Sequence, residues 1–144
     1  MKKKVTLLAL AAVFLLAAGN LFAQDIIVGV WKNIDDKTGK AKSHIQIFEK
    51  DGKVYGKIIK LLNDKPDAKC DKCEGDKKDK PVVGMEFVTK MKNKGKNNYA
   101  GGKILDPGNG KEYTCKMKLL DDGRLRVRGY IAFFFRTQYW HRLK

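Results

Sequence analysis

From Val28 onward, apolar and charged residues alternate along the chain in short runs with a period of two. That pattern fits half-buried β-strands and leaves no stretch with a helical period. Tyr113, Cys115, Met117 and Leu119 share one face of a segment, and Thr114, Lys116 and Lys118 share the other. Leu125, Val127 and Ile131 alternate in the same way with Arg124, Arg126 and Arg128. Successive side chains of a strand point to opposite sides, so each segment offers one apolar and one charged face.

Turn signals separate these segments. Lys50-Asp51-Gly52-Lys53, Asp106-Pro107-Gly108-Asn109-Gly110 and Asp121-Asp122-Gly123 each lie between two apolar runs. Asp-Gly and Asn-Gly accept the positive φ that tight hairpin turns require. Eight strands are predicted, near 28–34, 41–49, 53–62, 83–91, 98–105, 111–119, 124–131 and 136–142. Short connections between most of them favour an up-and-down meander. Eight strands can close on themselves, which removes exposed edges. The expected fold is all-β, an eight-stranded antiparallel up-and-down barrel.

Ahead of this region stands a leader. Lys2, Lys3 and Lys4 precede an apolar run from Val5 to Ala18, and Leu21-Phe22-Ala23 ends on a small residue. This is the layout of a secretory signal peptide, residues 1–23, cleaved near Ala23. The apolar run is shorter than the ~20 residues needed to span a bilayer. No later segment is long and apolar enough to do so either, so no transmembrane segment is expected after cleavage. The remaining residues, 24–144, suit one domain with one core, located in the periplasm or secreted.

The formal charge of +15 stays strongly positive after the leader is removed. Such a surface attracts anionic partners, and the plainest role of its lysines is solubility. Export argues against nucleic acid and leaves an anionic envelope surface as a possible partner. Lys90, Lys92, Lys94 and Lys96 form a basic hairpin tip, and Arg124, Arg126 and Arg128 form a second basic row on an outer face.

The first predicted strand opens with Gly29-Val30-Trp31, and the last closes with Thr137-Gln138-Tyr139-Trp140-His141-Arg142. Gly-x-Trp at the start and Arg at the end resemble the lipocalin and wider calycin pattern. In those barrels the first-strand Trp closes one end and the last-strand Arg packs across its ring. A guanidinium can stack on an indole while its N–H groups reach backbone carbonyls. Gly29, Trp31 and Arg142 are therefore expected to be structural.

A closer resemblance runs through Asp51-Gly52-Lys53-Val54-Tyr55-Gly56-Lys57-Ile58, Cys70-Asp71-Lys72-Cys73 and Lys80-Pro81-Val82-Val83-Gly84-Met85. It continues through Gly101-Gly102-Lys103-Ile104-Leu105-Asp106-Pro107, Gly110-Lys111-Glu112-Tyr113, Arg128-Gly129-Tyr130-Ile131 and Arg136-Thr137-Gln138-Tyr139-Trp140. These segments resemble the exported bacterial family known as domain of unknown function 2147. The resemblance implies a lipocalin-like barrel and no established activity. Phe133-Phe134-Phe135 departs from the Gly and aliphatic residues that the family leads one to expect there.

Such a barrel can hold side chains or one small ligand in its interior. The expected ligand is apolar or amphipathic, held against Met85, Phe87, Tyr113, Met117 and Trp140. No cofactor is expected. The three consecutive Phe residues cannot all face inward on a strand. Packing beneath the neighbouring loop is the plainer expectation; an exposed tip would mark a ligand mouth, a partner surface or a membrane contact.

Residues 63–80 form the one long connection, with six Lys and six acidic residues. A loop of this length inside a compact domain is functional or mobile. It carries Cys70 and Cys73, and in an oxidising compartment a disulfide is the leading expectation. Either Cys70 pairs with Cys73, or one of them pins the loop to Cys115. A zinc site using the three Cys with His44 or His141, and a redox dithiol, rank behind it. No hydrolase constellation is visible, and no catalytic residue or metal site is expected. Ser43 and His44 are adjacent and should face opposite ways, which is poor for proton transfer. Asp35, Asp36, Asp106, Asp121 and Asp122 lack calcium-loop spacing and read as turn formers.

Overall fold

The computed structural model describes residues 26–62 and 65–144. The expected leader lies outside the described residues. Eight strands follow in order: β1 (Gly29–Ile34), β2 (Ala41–Lys50), β3 (Lys53–Leu61), β4 (Glu86–Gly95), β5 (Asn98–Asp106), β6 (Lys111–Leu119), β7 (Leu125–Ile131) and β8 (Phe134–Arg142). Each pairs antiparallel with the next, and β8 pairs back to β1, closing the barrel.

Two strands differ from expectation. β4 starts later, at Glu86, and continues to Gly95, because Lys90 takes a positive φ of 56° and the strand resumes after this irregularity. β8 starts earlier, at Phe134. Ala132 and Phe133 form a two-residue turn, with Ala132 at φ 50°, so Ile131 and Phe134 are paired.

β1 and β8 meet over three register pairs, Trp31 with Arg142 among them. Trp31 stands opposite Arg142 in the register, and the guanidinium lies 4.3 Å from the centre of the indole ring. Arg142 donates from Nη1 to the Val28 carbonyl at 3.0 Å and from Nη2 to the Ile26 carbonyl at 2.5 Å. Trp31 Nε1 donates to the Ile27 carbonyl at 2.8 Å. Gly29 is required here: its φ is 141°, and a Cβ would sit 2.9 Å from Arg142 Nη1. The chain before β1 is thereby folded across one end of the barrel, where Ile27 is fully buried.

The largest fully buried side chains fill that same half. Trp31, Ile45, Val54, Met91, Tyr99, Met117, Leu125 and Trp140 are each at most 2 % exposed. Burial of each such side chain contributes about 1.5–3 kcal/mol, so this half is the stability core. The short β2–β3, β4–β5 and β6–β7 turns lie at this closed end. Strand direction puts the β1–β2, β3–β4, β5–β6 and β7–β8 connections at the other end.

The β3–β4 connection does not interrupt the barrel, since β3 and β4 are direct neighbours. It folds back on itself as a flap over the open end. Val82 N–H donates to the Ala68 carbonyl at 2.9 Å, Cys70 N–H to Lys80 at 2.8 Å, and a bridge links Lys69 with Pro81. A one-turn 3-10 helix, Gly75–Lys77, lies within it. Cys70 and Cys73 form a disulfide with Cα atoms 5.3 Å apart. The alternative pairing to Cys115 is thus corrected: Cys115 is a free, fully buried thiol on β6, with Gly102 and Gly129 as register partners. The bonded pair leaves no thiolates in the flap for zinc. Among the described residues no helix is long and apolar enough to cross a membrane.

Candidate functional site

A cavity of about 910 Å³ occupies the half of the barrel beneath the flap. That volume lies in the range of small-molecule sites. Its walls are the inward residues of the strands near the open end. Ile58, Leu61, Phe87, Ile104, Val127 and Phe134 supply apolar surface, and Val82 and Ala68 supply more from the flap. Phe87 also rests on the packed half, with its ring 5.9 Å from that of Trp140.

The polar groups fall into two layers. On β1, β2 and β8 the lining residues nearest the packed half are Asn33, Ser43 and Gln138. Asn33 and Ser43 are register partners, and Asn33 also stands opposite Trp140. Asn33 is 6 % and Ser43 4 % exposed. Gln138 Oε1 accepts a hydrogen bond from Trp140 Nε1 at 3.4 Å.

Nearer the opening, Lys42, Lys65, Lys69, Lys72 and Arg136 border the cavity together with Asp71 and Asp106. Cations outnumber carboxylates, so the rim favours an anionic group. Arg136 and Asp36 make a bidentate ion pair, with Nε donating to Oδ2 at 3.0 Å and Nη2 to Oδ1. The Arg136 hydrogen bond holds the Asp36 carboxyl below its usual range, and the Asp36 carboxylate raises the Arg136 guanidinium in turn. The pair clips the β1–β2 loop to β8. Asp36 is therefore an ion-pair partner, whereas Asp35, Asp106 and Asp122 are turn formers. Each accepts from backbone N–H groups two or three residues on.

The flap is seated on the β5–β6 turn. Gly110 has φ 72°, and a Cβ there would collide with the Lys72 carbonyl. Cys70 Sγ lies 3.5 Å from the Pro107 carbonyl. Asn109 donates to the Tyr113 hydroxyl at 2.8 Å, which anchors the ring at the cavity edge.

Of the five residues expected to face a ligand, Phe87 and Tyr113 border this cavity. Met117 and Trp140 are packed beneath it in the closed half. Met85 is buried at the end of the flap and borders a separate recess with Lys77, Pro81 and Glu86. Asn33, Ser43, Gln138 and Arg136 were missed by reading for apolar and aromatic residues. Their signal was parity: Asn33 shares the inward parity of Trp31, Ser43 that of Ile45, and Gln138 and Arg136 that of Trp140. A polar residue on an inward position is the mark of a lined cavity.

The three Phe residues lie at this same end, and their expected burial under a loop is corrected. Phe133 is 98 %, Phe134 79 % and Phe135 56 % exposed. The tight Ala132–Phe133 turn puts Phe133 beyond the rim, while Phe134 borders the cavity and Phe135 lies against the Tyr130 ring. Ser43 is buried while neighbouring His44 lies on the outward parity, opposite Lys32 and Lys60, so the two do not form a proton-transfer pair.

Comparison with known proteins agrees with the architecture. The model of a protein family described as uncharacterized protein conserved in bacteria (DUF2147) matches residues 29–142. The chain belongs to this family. Among solved structures, the chain is similar to protein HP1028 from the human pathogen Helicobacter pylori, which belongs to the lipocalin family. The identity is 22 %, the TM-score is 0.72, and the match covers 81 % of this chain and 82 % of that one. At that identity the likeness establishes a lipocalin-like fold for this family member. No curated protein matches the chain.

Proposed function

We propose that this DUF2147 protein is an exported carrier that holds one small amphipathic molecule in the open half of its barrel. The cavity carries the reading: apolar walls, a basic rim and a volume of about 910 Å³ in a barrel whose other half is solidly packed. Binding rather than catalysis is supported by a lipocalin-like fold. The leader at residues 1–23, with its basic start and Ala23 end, supports a periplasmic or secreted location.

Titration with the anionic fluorophore anilinonaphthalene sulfonate tests the carrier reading. Saturable enhancement with one site per chain is expected, and Val127→Trp, which puts an indole into the cavity wall, should weaken it. Non-saturable enhancement that Val127→Trp leaves unchanged would contradict the reading.

A second reading is favoured by the outer surface. Phe133 projects at the open end, and beside it cations lie over aromatic rings. Arg128 is 4.9 Å from the Phe135 ring and Lys116 5.3 Å from Tyr130. This surface suits an anionic lipid layer, with the Phe tip entering and the cations at the headgroups. Co-sedimentation with phosphatidylglycerol vesicles should be strong at low salt and weak at high salt. Phe133→Ser should reduce it severalfold. Equal sedimentation of wild type and Phe133→Ser would remove the tip from the interface.

A further inference from the structure

The cavity floor is a second, polar recognition element, distinct in chemistry from both the apolar walls and the basic rim. Asn33 borders the cavity and is 6 % exposed, yet its Oδ1 meets no donor from the protein. A buried carbonyl oxygen without a donor is costly, and natural interiors retain one chiefly where something else supplies the donor. The Asn33 side chain borders the chamber, and rotation about Cβ–Cγ can present either the oxygen or the NH₂ group of a carboxamide. Beside it are the Ser43 hydroxyl, on the register partner, and the Gln138 amide. The Gln138 oxygen is engaged by Trp140, which leaves its NH₂ group to donate. The floor therefore offers an acceptor, a donor and a hydroxyl that serves as either.

We propose that the leading end of the ligand is a neutral group that both donates and accepts hydrogen bonds, a hydroxyl or a primary amide. A bare alkyl terminus leaves all three floor groups unmatched. A carboxylate brings no donor to Asn33. The anionic end of the molecule belongs at the other layer, among Lys42, Lys65, Lys69 and Lys72. From Gln138 to Phe134 the barrel wall runs four residues, about 13 Å, the reach of a chain of about ten carbons. The ligand class is thus a medium-chain amphipath with an anionic group at one end and a hydroxyl or amide near the other. This rests on the carrier reading and names the chemistry of its site.

A matched pair of probes tests it: ω-hydroxydodecanoate against dodecanoate, each titrated calorimetrically into the purified protein. The two differ only at the end that reaches the floor. The hydroxylated acid is expected to bind about tenfold more tightly, the scale of one well-made buried hydrogen bond. Asn33→Leu should remove or invert that preference. Ser43→Ala, a smaller change on the register partner, should reduce it if Asn33→Leu does not fold. Saturable binding of both acids with equal affinity would overturn the polar floor and leave the carrier standing. A preference that persists unchanged in the folded variants would also overturn it. Failure of both acids to bind at millimolar concentration would overturn the carrier reading and this inference together.

Discussion

Arg142 does two jobs with one planar group, covering the Trp31 ring and tying down the carbonyls of Val28 and Ile26. Lysine has the charge but not the fork. Arg142→Ala is expected to cost about 2 kcal/mol, read as a lower urea midpoint, and Arg142→Lys should recover only part of it. An unchanged midpoint in Arg142→Ala would mean that the N-terminal segment is held by other contacts. Cys115 gives a pH signature of its own. Burial pushes its thiol up from 9.0 to about 12. Below about pH 9 the thiol is protonated in both folded and unfolded chains. Between those two values only the unfolded chain loses the proton, so stability falls as the pH rises through that window. Cys115→Ala should flatten the alkaline decline of the urea midpoint relative to wild type. The native thiol should also resist thiol reagents until the barrel opens. The inward placement of Cys115 was legible from strand parity, and the Gly29–Trp31–Arg142 arrangement from the resemblance of the first and last strands to the lipocalin and calycin pattern. That Cys115 stays unpaired was not legible, since parity says nothing about which cysteine the flap can reach.

Among the elements, the flap between β3 and β4 is the one whose form could not be read from its composition. Six lysines and six acidic residues suggest solvated chain, yet the segment makes a paired return stapled by Cys70–Cys73 and seated on Gly110. What orders it is non-local: backbone hydrogen bonds of Ala68 to Val82 and Cys70 to Lys80, and the fit of the Lys72 carbonyl over a residue with no Cβ. Gly110→Ala is expected to lift the flap while leaving the barrel formed. Amide exchange should rise over residues 65–82 and stay low in β1 and β8. Fast exchange spreading to those strands would show that the flap is part of the cooperative core instead. The strands themselves were legible to within a few residues, since alternation and Asp-Gly or Asn-Gly turns act locally. The last hairpin was the exception. Three Phe in a row break the period, and only the paired Ile131 and Phe134 show that the turn is two residues long and leaves the tip bare.

At the scale of the molecule, the barrel is divided across its axis. One half is closed by Trp31, packed by Trp140, Met117 and Leu125, and sealed by short turns. The other is hollow, rimmed by lysines and covered by the flap, with the exposed Phe133 tip beside it. Sequence reasoning chose interior residues by hydrophobicity, and so placed Met117 and Trp140 at a ligand when they form the packed half beneath the chamber. The largest apolar side chains fill space, and a cavity persists where smaller or polar residues such as Ser43, Gly129 and Gln138 hold the inward positions. The division of the barrel supports a carrier whose stability and binding are separable. Native mass spectrometry of the protein purified from its own cells tests this most directly. The account predicts a population heavier than the bare chain by one amphipathic molecule, released by organic solvent and reduced in Val127→Trp. The bare mass alone in repeated preparations, together with no saturable uptake of amphipathic acids, would contradict it.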